Sequence, residues 1–226
     1  MTQTKQTRGA CVFCGRKMTG NGMVKHLSAC PTRKASVDER DQQAGNNENI
    51  YHLKIQDSWL KDFWLHLEMP GFATLKDLDS YLRKIWLECC GHLSQFSIGG
   101  PRGEEIAMDT KVGDFFQPNL ELTHLYDFGD SSETQIKVVA AREGKPMSEH
   151  PIYLMARNEL PEVENCACGS PGAWLCTGCT ENDDEFALLC TQHAKDKEHE
   201  DHNLIPIINS PRTGRCGYDG PAEAPY

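Results

Sequence analysis

The stretch ELTHLYDFGDSSETQIKVVAA, residues 121–141, contains two segments in which apolar and polar side chains alternate. The side chains that share one face of the first segment are Leu122, His124, Tyr126 and Phe128. The second segment runs from Thr134 to Ala141. Because side chains in a strand point alternately to its two faces, this pattern predicts two half-buried strands.

Segments on both sides predict further elements of the same domain. Strands are expected at 50–55, 63–67, 96–98 and 152–156, where apolar residues alternate or cluster. Thr74, three residues before Asp77, is typical of a helix start, and apolar residues follow at helical spacing as far as Gly91. The sequence therefore predicts an α+β domain over residues 50–160, with a central, mostly antiparallel sheet and one main helix.

Eight of the eleven cysteines lie near the two ends of the chain, where histidines accompany them. The first group is Cys11, Cys14, His26 and Cys30. Two cysteines separated by two residues turn both thiolates towards one point, while His26 and Cys30 share a helical face. This spacing predicts a basic zinc finger of the C2HC type in residues 1–34.

The second group supplies eight candidate ligands: Cys166, Cys168, Cys176, Cys179, Cys190, His193, His199 and His202. At four ligands per ion, the two groups predict about three zinc ions with no open position for water, which favours structural over catalytic metal. Spacing alone leaves sequential and interleaved pairing of these eight ligands open. Cys216 is a further possible substitute ligand, and Cys89–Cys90 is expected to lie in the core.

Polar segments separate these modules. Residues 35–49 predict a flexible linker, so that the finger would be a tethered module and ordered structure would begin at Ile50. The double-zinc module is assigned to residues 161–210, and 211–226 form a polar tail that is not expected to be ordered. No apolar run has the length of a membrane span or signal peptide, which indicates a cytoplasmic protein without membrane contact. A reducing compartment disfavours disulfides and leaves the thiols for metal.

Charge is distributed unevenly along the chain. The first 34 residues contain seven basic and no acidic residues, whereas the remaining residues sum to −17. This predicts either a nucleic-acid contact through residues 1–34, or a finger that docks on an acidic partner or on its own body. Phosphate contacts are expected from Arg16, Lys17 and Lys25, because two glycines and one asparagine before His26 offer little for base readout.

The C-terminal group resembles a B-box-like zinc module over residues 166–208. The resemblance implies interleaved pairing, with one zinc held by Cys166, Cys168, Cys190 and His193 and the other by Cys176, Cys179, His199 and His202. It also implies a protein partner. Acidic residues around the module, among them Glu181, Asp183, Asp184 and Glu185, would repel phosphate.

The middle of the chain resembles the insertion-element passenger family, also called TnpR-like or plasmid ORF-three-like. The residues that carry the resemblance are Tyr51 to Ile55, Thr74-Leu75-x-x-Leu78, His92 to Gly99 and the run Tyr126-Asp127-Phe128-Gly129-Asp130. Asn209 to Arg212 and Cys216 to Tyr218 look like the ending of a longer, zinc-bearing branch. The resemblance implies an α+β fold and association with mobile elements, without an established reaction. Ser94 and Thr134 stand where members often have histidine.

Three functions remain open at the level of sequence. The first is a non-enzymatic adaptor that contacts nucleic acid weakly through the finger and protein through the C-terminal module. The second is a metal-dependent enzyme acting on nucleic acid, in which Asp127 and Asp130, with Glu133 or His92, hold a catalytic cation. It requires those side chains to converge in a cleft. The third is a purely structural scaffold for protein interactions.

Overall fold

The computed structural model describes residues 6–179 and 186–226. Its first half contains β1 (Arg8–Cys11), β2 (Lys17–Thr19), α1 (Gly20–Ala29), α2 (Pro31–Asp41), β3 (Glu48–Asp57), β4 (Trp64–Pro70) and α3 (Leu75–Leu82). The sheet continues with β5 (Ser94–Ile98), β6 (Glu104–Ile106), β7 (Glu121–Tyr126), β8 (Ser132–Gly144) and β9 (Tyr153–Asn158). The C-terminal module contributes β10 (Trp174–Cys176), β11 (Ala187–Leu189) and β12 (Leu204–Pro206).

The large sheet has nine strands within the described residues, in the order β2-β1-β9-β4-β3-β8-β7-β5-β6. Every recorded pair in it is antiparallel. The long strands β3 and β8 lie at its centre, and their inward side chains pack with those of α3 and the turn that follows it. The predicted α+β class with a mostly antiparallel sheet is confirmed.

Helix α3 begins as the sequence predicts and ends earlier. Thr74 and Asp77 form a reciprocal capping box, in which each side chain accepts the backbone N–H of the other residue. After Leu82 the chain makes a π-helical turn over Arg83–Leu87 and leaves helical geometry at Glu88. Arg83 then donates to Asp79, Glu88 and Ser94, so its guanidinium ties the helix end to β5 instead of to another helical turn.

The predicted flexible linker at 35–49 is wrong for most of its length. Helix α2 continues to Asp41, and β3 begins at Glu48. The backbone N–H of Lys145 donates to Asp41 Oδ1 at 2.7 Å, and Arg40 Nε donates to the Pro146 carbonyl at 2.7 Å. Polar composition here reflects a helix with no buried residue rather than an unstructured chain.

The finger is part of the sheet rather than a tethered module. Strand β1 pairs with β9, which places Cys11 opposite Ala156. Gly9 lies so close to its neighbour that an added Cβ would sit 1.9 Å from the Arg157 carbonyl oxygen. A second apolar core fills the space beneath the finger: Cys11, Met23, Leu27, Cys30, Trp64, Met155 and Ala156. Ordered structure therefore begins well before Ile50.

The polar tail is also ordered. Arg212 is completely buried, and Tyr218 and Ala222 are nearly so. Ser210 Oγ donates to the Trp86 carbonyl at 2.6 Å, which fixes the tail to the end of the π-helical turn. Residues 211–226 thus complete the central domain, and the prediction from their composition is wrong. In the described part of the chain, helices are too short or too polar to traverse a bilayer.

Candidate metal centres

Four groups of cysteine and histidine can each hold a metal ion, because the ligand atoms within each group lie no more than 4.8 Å apart. The first group is Cys11, Cys14, His26 and Cys30. The second is Cys166, Cys168, Cys190 and His193, and the third is Cys176, Cys179, His199 and His202. The fourth is Cys89, Cys90, His92 and Cys216. All eleven cysteines of the chain belong to one of these groups.

The finger centre is built from a strand turn and a helix. Cys11 ends β1, and the backbone N–H of Gly15 donates to its carbonyl at 2.8 Å, which closes the knuckle that carries Cys14. Thr19 caps the start of α1. His26 lies in the last turn of that helix, and its Nε2 lies 3.3 Å from Cys14 Sγ. Burial raises the pKa of the Cys11 thiol to about 11, so a cation is needed to hold it as a thiolate.

The two C-terminal centres are interleaved along the chain. Cys166 Sγ lies 3.1 Å from His193 Nδ1, and Cys168 Sγ lies 3.8 Å from Cys190 Sγ. In the other centre, Cys179 Sγ lies 3.3 Å from His199 Nδ1. The three strands β11-β10-β12 form a small sheet that presents Cys176 at the end of β10.

The thiol at Cys166 ionises more readily than an ordinary cysteine. The backbone N–H of Cys168 and the imidazole of His193 lower its pKa to about 6. The hydrogen bond and the negative charge of Cys166 in turn raise the pKa of His193, because the thiolate stabilises the imidazolium. A divalent cation would replace that proton and bind both side chains.

Each of these three centres offers four protein ligands, so a tetrahedral ion would retain no position for water or substrate. Two of the four ligands in each centre are buried, so a bound ion would be largely shielded from solvent. This arrangement can brace the chain and shape surfaces, and it lacks the open position that metal-assisted catalysis requires.

The fourth group joins residues that sequence reasoning left apart. Cys89–Cys90 was expected to lie in the core, yet Cys90 is exposed and Cys89 is half-buried. Cys216, expected only as a possible substitute ligand, lies 3.4 Å from Cys90 through their sulfur atoms. The local signal was Cys-Cys-x-His, but the ligand that completes it is 126 residues away.

The basic residues near the finger differ in whether they form ion pairs within the protein. Lys17 forms an ion pair of 2.5 Å with Glu159, so part of the finger's charge is neutralised by the body of the protein. Arg33 lies 3.2 Å from the buried Glu68. Arg16 and Lys25 are exposed and form no ion pair with any residue that the structure describes.

The start of α1, where related fingers would read bases, faces the protein. The carbonyl of Gly20 accepts from His66 Nε2 at 2.9 Å, and His66 Nδ1 accepts from His52 Nε2 at 2.8 Å. This chain connects the finger to β3 and β4. Burial lowers the pKa of His52 to about 3 and that of His66 to about 4, so both imidazoles are neutral at physiological pH.

The acids of the Tyr126–Asp130 run do not converge on a cation site. Asp127 is buried with a φ of 63°, and its Oδ2 accepts from Arg212 at 2.6 Å. Although burial acts to raise its pKa, the hydrogen bond from Arg212 holds it below the usual value. Asp130 is exposed and lies 3.8 Å from Arg215, while Glu133 accepts from Ser58. The geometric condition of the enzymatic interpretation is therefore not met.

An apolar groove separates the C-terminal module from the central domain. Its volume is about 350 Å³. Its apolar lining includes Leu60, Leu160, Val163, Leu175, Leu188 and Ile207. Leu60 and Leu160 are each 47 % exposed at its rim. Glu164 also lines it, and the sequence of residues 161–210 contains ten acidic residues against two lysines. Glu181, Asp183, Asp184 and Glu185, predicted to repel phosphate, lie outside the described residues.

Comparisons with known proteins include a distant structural similarity. No protein-family model matches the chain, and no curated protein matches it in sequence. A crystal structure of the protein of unknown function MM3350 from Methanosarcina mazei Go1 aligns with 48 % of this chain and 67 % of its own. The aligned parts are 22 % identical, with a TM-score of 0.40.

Proposed function

We propose that this protein is a zinc-braced, non-enzymatic adaptor that binds a protein segment in the groove between its C-terminal module and its central domain. The observation that carries the proposal is the groove itself, which exposes leucines at the edge of a module that contains two candidate metal centres. Apolar surfaces gathered in a cleft are typical of binding sites, whereas single exposed apolar residues are common.

Zinc is the ion that best suits the predicted centres. Sets of four thiol and imidazole ligands in closed tetrahedral arrangements are typical of structural zinc, and the sites occupy both ends of one chain. Reduced thiols of this kind fit a reducing compartment, and we place the protein in the cytoplasm. The ions would hold the groove walls in place without taking part in chemistry.

The groove suits an extended peptide with two or more apolar side chains beside a lysine or arginine. The leucines supply the apolar contacts, and Glu164 with the acidic surface of the module supplies a complementary charge. Charge complementarity favours a basic segment and accelerates its association.

A displayed library of random peptides provides a direct test. We expect selection on the intact, zinc-loaded protein to enrich this apolar and basic pattern. A synthetic consensus peptide should then lose about tenfold in affinity on Leu160→Asp, because a charge would enter the apolar rim. Val12→Asp is the matched control, since Val12 is 49 % exposed on the finger and does not line the groove. Selection without a common pattern, or equal weakening by both variants, would refute the groove as the binding site.

We also propose a weak contact between the finger and nucleic-acid phosphates, favoured by the exposed Arg16, Lys25 and Lys34. Two other basic residues of this segment, Lys17 and Arg33, form ion pairs with Glu159 and Glu68. Base readout is not part of the proposal, because Gly20 at the helix start is buried.

Deleting the finger would remove strands from the sheet, so charge variants give the cleaner experiment. Replacement of Arg16, Lys25 and Lys34 by Gln should abolish retardation of a DNA duplex in gels. For the wild-type protein, about three phosphate contacts predict a slope of about −3 for log affinity against log salt. The control replaces the exposed Lys76, Lys84 and Lys111 by Gln. Equal loss in both triple variants would show that binding is not located on the finger.

Association with mobile elements remains a proposal that rests on the resemblance of residues 50–155 to the passenger family. In that setting, the adaptor would bind a protein segment through its groove and a nucleic-acid backbone through its finger. The two binding experiments above measure each contact separately.

A further inference from the structure

The fourth cysteine and histidine group lies where the C-terminal tail crosses the end of the helical segment. Cys90 Sγ lies 2.9 Å from His92 Nε2, 3.4 Å from Cys216 Sγ and 3.5 Å from Cys89 Sγ. Cys216 Sγ lies 3.6 Å from His92 Nε2. Four potential ligands from two distant parts of the chain thus meet at one point.

These separations match those of a metal site. A tetrahedral zinc with Zn–S bonds of about 2.3 Å places its sulfur ligands about 3.8 Å apart. Within the C-terminal centres the corresponding ligand separations run from 3.1 to 3.8 Å. The group therefore has the ligand types and approximate spacing of the other centres, although the local Cys-Cys-x-His run supplies only three of its four ligands.

The surroundings favour a negatively charged centre. Three thiolates, one neutral imidazole and a divalent ion carry a net charge of −1. The guanidinium of Arg212, which is completely buried, donates to Cys89 Sγ at 3.5 Å and also to Asp127. Arg83 and Arg212 flank the ring of Tyr126 at 4.7 and 4.9 Å from its centre. Two guanidinium groups therefore lie beside the thiols, where Asp127 accepts from Arg212, and Asp79 and Glu88 accept from Arg83.

We propose that Cys89, Cys90, His92 and Cys216 bind a fourth zinc ion that clasps the C-terminal tail to the central domain. Asp127 Oδ2 lies 3.4 Å from the same His92 nitrogen. When the ion binds that nitrogen, Asp127 loses its contact with His92 and keeps its hydrogen bond from Arg212. The inference is independent of the proposed adaptor function, because it uses neither the groove nor the finger.

The backbone at Cys216 supports the role of a clasp. Cys216 adopts a φ of 50°, a left-handed conformation that costs free energy for a non-glycine residue. Gly214 and Gly217, both also at positive φ, flank it. A metal bond supplies a reason for a cysteine to occupy this position. It would hold the segment that carries the buried Arg212 and Tyr218 in place.

The fourth ion is expected to leave first. Two of its ligands, Cys90 and Cys216, are exposed and the other two are half-buried, whereas every other centre has two buried ligands. A chelator reaches an exposed ion more easily, so the clasp opens while the other centres remain filled. The tail would then exchange its amide hydrogens faster without global unfolding.

Metal analysis of the full chain, purified under reducing conditions, is the primary test. Four zinc ions per chain are expected from the four groups. Cys216→Ser should lower the count by one, while Asp219→Asn, an exposed change in the same tail, should leave it unchanged. Three ions in the wild-type protein, or a Cys90–Cys216 disulfide in its place, would overturn the proposal.

Stepwise chelation separates the clasp from a general effect on folding. Zinc released to a chromogenic chelator should appear first as one ion per chain. Amide exchange of residues 209–226 should accelerate by about tenfold at that step, corresponding to about 1.4 kcal/mol in local opening. Cobalt substitution should show one thiolate-rich tetrahedral spectrum fewer in Cys216→Ser. Tail exchange that does not change until all ions have left would contradict the clasp even if the site binds metal.

Discussion

The N-terminal finger and the C-terminal module contain the same kinds of ligand but are joined to the protein differently. The finger adds β1 and β2 to the nine-stranded sheet and shares a buried core with Trp64. The module forms its own three-stranded sheet around two centres. A metal ion bound in the finger would secure an extension of an existing core. Ions bound in the module would take the place of a core that a segment of this length cannot form.

Loss of one ligand from each region should produce the largest difference. Cys11→Ala should lower the unfolding midpoint of the central domain by roughly 10 °C, because the finger core and the β9 edge are lost together. Cys176→Ala should unfold the module and shift the central midpoint by only about 2 °C. Calorimetry with zinc analysis of each variant provides the measurement. Equal shifts would show that the two regions are coupled to the central domain in the same way.

Replacement of the tryptophan beneath the finger should have the next largest effect. Trp64 is 2 % exposed, and Gly9 and Gly20 pack directly against its ring. Trp64→Ala should reduce the free energy of unfolding by about 3–5 kcal/mol, since it leaves a large cavity between finger and sheet. The control Trp59→Ala, at a residue that is 72 % exposed, should change it by less than about 0.5 kcal/mol. Urea titrations measure the free energy of unfolding of both variants. Similar, small decreases for Trp64→Ala and Trp59→Ala would show that the finger docks only loosely on the sheet.

Acid should weaken the attachment of the finger through the buried His52–His66 pair. The pKa of His52 falls to about 3 on folding, so the unfolded chain binds a proton more readily than the folded one. The contribution of the neutral imidazole is complete above the ordinary pKa of about 6.5 and is lost as pH falls towards the folded value. Between about pH 7 and pH 5, wild type should lose about 2 kcal/mol more stability than His52→Gln.

The control for this pH effect is His150→Gln, because His150 is exposed. The metal ligands are common to all three proteins, so loss of metal in acid cancels in the comparison. Urea unfolding at both pH values measures the difference. Parallel pH curves for wild type and His52→Gln would mean that the histidine pair does not anchor the finger.

Local patterns predicted the elements better than their assembly. The alternation around Leu122 and Ile136 indicated β7 and β8, and the pair Thr74 and Asp77 marked the start of α3. Composition failed at the linker and the tail. Polar segments there are held by specific partners, such as Asp41 with Lys145 and Arg212 with Asp127. Such partners lie far away in sequence, and composition carries no information about them.

The metal ligands show the same division. The candidate ligands of the finger and the module are separated by short intervals that a knuckle or helical turn can span, so their types and spacing indicated them as candidates. The fourth group depends on Cys216 reaching Cys90 across 126 residues. No local regularity predicts that distance, because it results from the path of the tail past Trp86 and Asp127.

Local sequence patterns predicted the α+β class and the alternating strands, and they singled out the twelve candidate ligands at the two ends. Each of these depends on contacts between near neighbours, whose geometry follows from helix and strand periodicity. The tertiary structure was needed to show that the finger joins the sheet and that Arg212 binds Asp127. It was also needed to show that three more cysteines meet beside His92. These features depend on which distant segments pack together, and burial of the shared core determines that choice.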